Sequence, residues 1–317
     1  MVHIGLAGDV MIGRTVDRSI SAKGYVYPWG NMLHLLRETD MNIVNLETTL
    51  TTSVQKVEKT FNFKASQDKI KTLTEARITA VNLANNHILD FSGEGLQDTL
   101  QALASGHIAH AGAGLNEETA SAPLILNCRN MRVGMLGMTN NEPGWKAGPS
   151  HYGVNYFDFF SAHDQERALD QIRRVRSLAD IVLVSIHWGP NMEEKPHPVF
   201  VELAHEMIGQ GADIIHGHSA HIFQGIEVYR NKLILYDTGD LIDDYAVDPI
   251  LRNDRSFFFI VYAENRRLLK LKLIPLSIGH CQVNLADEDS WMWSIRRMKE
   301  LSASFGTRIP DGGELNL

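Results

Sequence analysis

The chain of 317 residues has little cysteine, no excess of positive charge and no long apolar run, and these absences narrow what it can be. Only Cys128 and Cys281 are present, in dissimilar surroundings, so neither a disulfide framework nor a thiolate zinc site is indicated. The formal net charge is −8 and no basic run occurs, which argues against a nucleic-acid partner. No stretch reaches the roughly 18 uninterrupted apolar residues that a membrane span requires.

The N-terminal segment, MVHIGLAGD, has no basic region and reaches a charge at Asp9, so we expect neither a signal peptide nor a membrane anchor. These features predict a cytoplasmic protein. Hydrophobic content of 44% and charged content of 21% are ordinary for a globular protein. Because no linker, repeat or low-complexity segment is found, we expect one domain over residues 1–285, with residues 286–317 forming a C-terminal helix packed on it.

Hydrophobic periodicity predicts strands that alternate with helices early in the chain and hairpins that dominate later. Buried strands are predicted at residues 2–7, 41–46, 78–83, 180–186 and 214–215. Hairpins are predicted at residues 124–138, 226–236 and 257–274. Helices are predicted at residues 31–38, 67–77, 93–104, 161–178, 199–209 and 288–304. This order indicates a mixed α/β sandwich rather than a purely parallel, doubly wound sheet.

The segment DIIHGHSAH, residues 213–221, places His216, His218 and His221 at the end of a short apolar strand. Imidazole is a frequent ligand of divalent metals and is neutral near pH 7. Gly217 lets the chain turn sharply, so that flanking rings can point at one spot. The alternative is a histidine-rich surface loop, and the segment by itself does not show whether His216 or His218 is the ligand.

Other predicted strands also end in ligand-type residues, which favours the metal interpretation. These residues are Asp9, Glu47, Asn86 with His87, and His187, in addition to His218 and His221. A single aspartate at a strand end is more often a turn former or helix cap. Ligands of α/β folds, however, lie at the carboxyl ends of strands. Carboxylates, an amide oxygen and imidazoles together would suffice for two divalent metal ions that clamp a phosphate and generate a hydroxide nucleophile.

Several segments resemble the CapA family, named for capsule and poly-γ-glutamate synthesis, of the calcineurin-like metallophosphoesterase superfamily. The segments are GDVMIGR (8–14), NLETTL (45–50), LANNH (83–87) with Asp90, HWG (187–189) and GHSAH (217–221) with Gln224. The resemblance runs from about Ile4 to Tyr245 and implies a four-layer α-β-β-α sandwich with a dinuclear centre of manganese, zinc or iron.

The resemblance also implies a role for each matching residue. Asp9 and His221 would bind the first metal, Glu47 would bridge both metals, and the second metal would be held by Asn86, His187 and His218. His87 would lie over the substrate. The superfamily usually carries histidine where this chain has Met11, so we expect the first metal to bind more weakly. Membrane-anchored members carry an N-terminal transmembrane helix that this chain lacks, which favours a relative with another substrate over a capsule exporter.

Further residues are assigned from their positions alone. Asp90, three residues after His87, could accept a hydrogen bond from its ring and fix the tautomer of a general acid. Arg14 could bind a substrate phosphate or carboxylate, or could be a surface arginine. The segment DTGD, residues 237–240, leads towards the site. It could contact the substrate or support the metal ligands, and the alternative is that it has neither role.

Three functions remain open from the sequence. The first is a metal-dependent phosphoesterase. The second uses the same metals on a peptide or γ-glutamyl substrate, by amide hydrolysis or α-proton abstraction. The third is a non-catalytic accessory protein of capsule or poly-γ-glutamate synthesis, which a complete ligand set argues against because buried polar groups are costly.

Overall fold

The computed structural model describes residues 1–317, and its strands form two large sheets with two small two-stranded pairs. The strands, in chain order, are β1 (Val2–Val10), β2 (Met41–Leu46), β3 (Thr49–Leu50), β4 (Lys64–Ala65), β5 (Ala80–Asn82), β6 (Ala109–Ala111), β7 (Ala113–Gly114), β8 (Leu124–Cys128), β9 (Met131–Thr139), β10 (Gly153–Val154), β11 (Ile181–His187), β12 (Ile214–His218), β13 (Ile226–Tyr229), β14 (Lys232–Leu235), β15 (Asp240–Ile242), β16 (Arg255–Glu264), β17 (Arg267–Gly279), β18 (Gln282–Leu285) and β19 (Glu314–Asn316).

Eight α-helices connect and cover these strands. They are α1 (Arg14–Lys23), α2 (Leu33–Glu38), α3 (Ile70–Glu75), α4 (Ser92–Ser105), α5 (Glu117–Ser121), α6 (Ala162–Arg176), α7 (Pro198–Gly209) and α8 (Glu288–Ala303). Short 3₁₀ turns precede α2 and α3 and lie in the connection after β9. None of the helices combines the length and apolar character needed to cross a bilayer.

Both large sheets are mixed, with parallel strands along one half of the first and at the centre of the second. The first sheet has the order β18-β17-β16-β1-β2-β5-β6, with β15 beside the end of β1 and β19 beside β17. Its strands β1, β2, β5 and β6 are parallel to one another. The second sheet has the order β13-β14-β12-β11-β9-β8, in which only the outer pairs are antiparallel. Parallel strands are normally covered by other elements on both faces of the sheet, which explains why the sequences of these strands are almost continuously apolar.

Alternating side chains of the central strands divide the core into three apolar clusters. Strand β11 shows the pattern: Leu183 packs between the two sheets, whereas Val182 and Val184 face the helices α6 and α7. In the first sheet, Ile4 and Leu6 of β1 pack against the second sheet, and the opposite face is covered by α1 to α4. The layers are therefore helix, sheet, sheet and helix, which confirms the predicted four-layer α-β-β-α sandwich.

The C-terminal helix α8 packs at the margin of the sandwich. Its residues Ile295, Met298 and Leu301 belong to the cluster between the sheets, and the helix contacts β13, β16 and β17. The long connection over residues 139–160 also contributes to packing, because Phe157 and Phe159 are buried under the second sheet's helices. The predicted hairpins and main helices are present. Helix α1 was not predicted, since only Val16 and Ile20 of its residues are buried.

Candidate metal centre

The carboxyl ends of parallel strands in both sheets deliver polar side chains to one point between the sheets. In the first sheet the pairing of β1 with β2 places Asp9 beside Asn45, and Glu47 directly follows β2. In the second sheet the pairing of β11 with β12 places His187 beside His218. All five side chains are buried. This is the edge at which α/β folds hold ligands.

Short distances join the imidazoles of one sheet to the carboxylates of the other. The Nδ1 atoms of His187 and His218 lie 4.0 and 3.8 Å from Asp9 Oδ1. His187 Nε2 lies 3.9 Å from Glu47 Oε1. The two Nδ1 atoms are 3.0 Å apart, and burial lowers the pKa of both imidazoles well below its usual value. Neutral rings that face each other in this way need a shared proton or a cation between them.

A second group of ligand-type atoms shares Asp9 with the first. One atom from each of Asp9, Glu47, His221 and Asp240 lies within 4.8 Å of the others, and all four residues are buried. His221 Nδ1 is 2.9 Å from Asp240 Oδ1 and 3.5 Å from Asp9 Oδ2. Although burial acts to lower it, the carboxylates of Glu47 and Asp9 raise the pKa of His221. The geometry therefore contains two adjoining groups, each able to hold a cation.

Several oxygen atoms of the second group have no hydrogen-bond partner: Asp9 Oδ2, both carboxylate oxygens of Glu47 and Asp240 Oδ2. Asn86 Oδ1, in the loop after β5, is likewise buried without a partner. Burial raises the pKa of Asp9 and of Glu47 well above the usual value, because each carboxylate has been removed from water beside other acids. Buried unpaired acceptors are costly unless something neutralises them. Hard oxygens together with imidazoles fit divalent metal ions, so the residues present suit the centre that the sequence predicts.

His87 lies beside this centre and belongs to neither ligand group. Its Nδ1 is 2.6 Å from Asp90 Oδ2, an oxygen that also accepts a hydrogen bond of 2.7 Å from the Phe63 backbone N–H. Its Nε2 lies 3.9 Å from Glu47 Oε1, and its ring stacks on the Phe63 ring with centroids 4.0 Å apart. Burial lowers the pKa of His87, and the hydrogen bond with Asp90 opposes that shift. The hydrogen bond at Nδ1 thus fixes the ring, and Nε2 faces the centre.

The structure separates the two histidines that flank Gly217. His216 uses both ring nitrogens elsewhere, with Nε2 2.9 Å from the Ala7 carbonyl oxygen and Nδ1 3.2 Å from Ser185 Oγ. Burial lowers the pKa of His216 to about 4, so the ring is neutral at physiological pH and donates from Nε2. The same Ser185 hydroxyl lies 3.0 Å from His218 Nε2. His218 therefore faces the centre, and His216 supports it from behind.

The loop after β12 is held in an unusual backbone conformation. Ser219 and His221 have φ values of 122° and 60°, which few residues other than glycine adopt. The carboxylate of Asp237 accepts 2.8 Å hydrogen bonds from the backbone N–H groups of residues 220 and 239. Asp237 thus braces the loop that carries His221, whereas Asp240 reaches the centre itself. Strained backbone of this kind is commonly found at functional sites.

A cavity of about 610 Å³ lies next to the centre and brings Arg14 and His87 to a common wall. The Arg14 guanidinium lies 5.5 Å from the Phe63 ring centroid, and its Nε is 3.3 Å from Asp244 Oδ1. The Tyr245 hydroxyl is buried and has no hydrogen-bond partner. The cavity is lined by a mixture of aromatic, aliphatic and polar residues: Arg14, Phe61, Phe63, His87, Asn191, Met192, His221, Tyr245, Ala246, Val247, Asp248, Pro249 and Asn253.

Sequence reasoning missed two residues that the structure places in the centre. Asn45 donates to Asp9 Oδ1 at 2.7 Å and lies 3.3 Å from His187 Nδ1. Its signal was a polar residue, one of two asparagines, inside a buried strand. Asp240 was considered only as part of a segment leading towards the site, and nothing in its local sequence distinguishes it from Asp237.

The fold and the centre define a class: a four-layer α/β sandwich with a buried candidate site for divalent metal ions between its sheets. The chain matches the family model described as "Bacterial capsule synthesis protein PGA_cap" over residues 3–245. It belongs to this family, which confirms the resemblance read from the sequence motifs.

Named relatives agree with that assignment. The "Probable polyglutamine synthesis accessory protein" of Mycobacterium tuberculosis is 30% identical over 98% of this chain and 93% of its own length. The "Capsule biosynthesis protein CapA" of Bacillus anthracis is 30% identical over 86% of this chain and 66% of its own length. Among solved structures, TT1561 of Thermus thermophilus aligns with 84% of this chain and 96% of its own at 12% identity and a TM-score of 0.43, too distant to bear on the site.

Proposed function

We propose that this protein is a metal-dependent hydrolase that cleaves phosphoesters at a dinuclear centre. The observation that supports this most is the set of buried, unpartnered oxygens gathered with neutral imidazoles at one side of a cavity. In the proposal Asn86, His187 and His218 would hold one ion and His221 would hold the other. Asp9 and Glu47 would serve both sites, since each lies near imidazoles of both groups.

The bound ions would supply Lewis acidity and neutralise the charge of an anionic substrate. The chain's own residues do the rest. Arg14, on the cavity wall, pairs with a phosphate oxygen. His87, when protonated on both ring nitrogens, donates its Nε2 proton to the oxygen of the leaving group, while Asp90 accepts the hydrogen bond from Nδ1 and so orients the ring and favours its charged form. Phe63, which is buried and stacks on the His87 ring, shields that proton transfer from bulk water.

A second candidate function is hydrolysis of a peptide or γ-glutamyl amide at the same centre. Two observations favour it: the cavity wall carries apolar side chains such as Met192, Val247 and Pro249 beside a single arginine, and a relative is named for polyglutamine synthesis. The same names also suit a non-catalytic accessory role. The two enzymatic candidates share the metal centre and differ only in what the cavity accepts.

The test is a side-by-side screen of the full chain after loading with manganese. Phosphomonoesters, phosphodiesters and γ-glutamyl peptides are assayed at equal concentration, with elemental analysis on the same preparation. Asp9→Asn serves as the variant deprived of its shared carboxylate. His205→Ala serves as a matched control, since His205 pairs with Glu227 at 2.9 Å and does not belong to the centre.

Phosphoester cleavage that Asp9→Asn abolishes and His205→Ala retains would establish the first candidate. Cleavage confined to γ-glutamyl peptides would replace it with the second. A metal content below about half an ion per chain after loading would reject the dinuclear centre altogether. Full metal content with no turnover of any substrate would support the accessory role.

A further inference from the structure

The short strand β15 brings a carboxylate from late in the chain directly beside Asp9. Asp9 and Asp240 are partners in the parallel pairing of β1 with β15, and the Asp9 backbone N–H donates to the Gly239 carbonyl at 3.0 Å. The two strands approach so closely that a Cβ on Gly8 would lie 1.7 Å from the Gly239 oxygen. Only glycine permits this approach, so the local sequence is adapted to hold Asp240 where it is.

The two carboxylate oxygens of Asp240 have different surroundings. Oδ1 accepts from His221 Nδ1 at 2.9 Å, whereas Oδ2 is buried without a hydrogen-bond partner. Asp240 is 1% exposed, and its ligand atom lies within 4.8 Å of those of Asp9, Glu47 and His221. If Asp240 only oriented His221, it would need Oδ1 alone. Its Oδ2 would then be buried without a hydrogen-bond partner beside other carboxylate oxygens that also have none.

Met11 cannot supply a ligand to this group. Its side chain is fully buried in the apolar cluster beneath the helices, and its sulfur accepts the Gly13 backbone N–H at 3.2 Å. The sequence pattern therefore predicts a first site short of one ligand. The structure offers Asp240 in its place.

We propose that Asp240 is a direct ligand of the first metal ion, with Oδ2 as the coordinating atom. The inference rests on the proposed metal centre and adds to it. The first site would then hold its ion by three carboxylates and one imidazole, whereas the second has two imidazoles, an amide oxygen and the shared acids. Oxygen-rich sites favour harder ions such as manganese or magnesium, and nitrogen-rich sites favour zinc. The two sites would differ in metal preference and would be similar in ligand number.

A competing explanation for the bare oxygen is a proton shared with Asp243. Asp243 is also buried, has an unpartnered Oδ2 and interacts with the Asp240 carboxyl. A proton-sharing pair would satisfy both oxygens without a metal. Asp243 is therefore the matched control: it has the same chemistry, lies three residues away and is not a member of either ligand group.

The first experiment measures manganese binding to the full chain and to Asp240→Asn, Asp243→Asn and His218→Ala. Binding is followed by calorimetry, elemental analysis and electron paramagnetic resonance, none of which depends on activity. Removal of a group that only orients a ligand weakens metal binding about 10- to 100-fold. We expect Asp240→Asn to exceed that range at one site and to convert a coupled two-ion spectrum into that of a single ion. Asp243→Asn should keep both ions.

A second variant tests coordination directly and does not depend on a loss. Asp240→Cys, loaded with cobalt(II), should show the near-ultraviolet charge-transfer absorption of a metal-bound thiolate, whereas Asp243→Cys should not. The native Cys128 and Cys281 are buried and free in every variant, and the cobalt-loaded wild-type chain provides their background.

The outcomes separate this inference from the proposed function. If the wild-type chain binds no metal, the proposed centre fails and the Asp240 assignment fails with it. If the wild-type chain binds two ions, Asp240→Asn also binds two with at most about a 100-fold loss, and Asp240→Cys shows no thiolate band, then Asp240 only orients His221 and this inference alone is overturned.

Discussion

Replacing His87 distinguishes catalysis from metal binding at this centre. Its ring is fixed through Nδ1 by Asp90 at 2.6 Å and through its face by Phe63, so Nε2 is the nitrogen available to a bound ester. His187, by contrast, lies 3.0 Å from the neighbouring His218 and 3.9 Å from Glu47. We therefore expect His87→Ala to lose turnover and keep its metal, and His187→Ala to lose both.

The expected magnitude follows from the assigned role. A positioned general acid contributes about 10²- to 10⁴-fold, which corresponds to roughly 2.7–5.4 kcal/mol of transition-state stabilisation. The loss should be largest for an ester with a poor, alkoxide-like leaving group. It should shrink towards unity for a nitrophenyl ester, whose leaving oxygen needs no proton. A merely structural histidine would impair both substrates equally.

The assay measures kcat for both esters and metal content on one preparation of each variant. Asp90→Asn is the supporting variant: it should reduce kcat less than His87→Ala does, without altering metal content, since the ring remains but loses the carboxylate that favours its charged form. The reasoning is refuted if His87→Ala loses metal as completely as His187→Ala, because His87 is then a ligand. It is equally refuted if turnover of the poor leaving group is unchanged.

Other consequences can be tested with single substitutions. Glu47→Gln removes a titratable carboxyl group whose two oxygens are buried without partners, so the metal-free protein should melt several degrees higher and lose its stabilisation by metal; an unchanged melting temperature in calorimetry would contradict this. Because burial raises the pKa of Glu47 well above its usual value and a metal ligand must be deprotonated, metal binding should release protons and tighten as pH rises; identical binding heats in buffers of different ionisation enthalpy would refute it. Arg14→Ala should raise KM for anionic substrates about tenfold with kcat nearly unchanged, and Arg14→Lys should recover only part of the loss in steady-state kinetics. Gly217→Ala would place a Cβ 2.0 Å from the Tyr236 carbonyl oxygen, and we expect little folded protein by circular dichroism.

The strand ends could be predicted from sequence because each depends on local patterns. An apolar run followed at once by a polar residue identifies Asp9, Glu47 and His187 without knowledge of neighbouring strands. The mixed α/β sandwich followed in the same way from the alternation of strands and helices, whereas its four layers were implied by the family resemblance. These features depend on residues that are close in the sequence, so they can be recognised without the fold.

The position of Asp240 could not be predicted in this way. It depends on a parallel pairing between β15 and β1, which are separated by more than two hundred residues, and no local pattern specifies that pairing. The family resemblance implied His218, but the local segment did not distinguish it from His216; the partners of His216, one of which is the Ala7 carbonyl on the other sheet, do so. Helix α1 was missed because only two of its residues are buried, too few to produce a helical period.

The division of the candidate ligands between two sheets has a consequence for how the protein matures. Carboxylates such as Asp9 and Glu47 come from the first sheet, and the imidazoles of His187 and His218 come from the second. Neither sheet alone presents a full set of donors, so tight metal capture would have to wait until the two halves have docked. Once captured, an ion would act as a cross-link across the interior and would favour the docked state by mass action. Metal binding would thus mark the completion of folding. Removal of the metal would first destabilise the interface between the two sheets, and faster amide hydrogen exchange there would reveal this change.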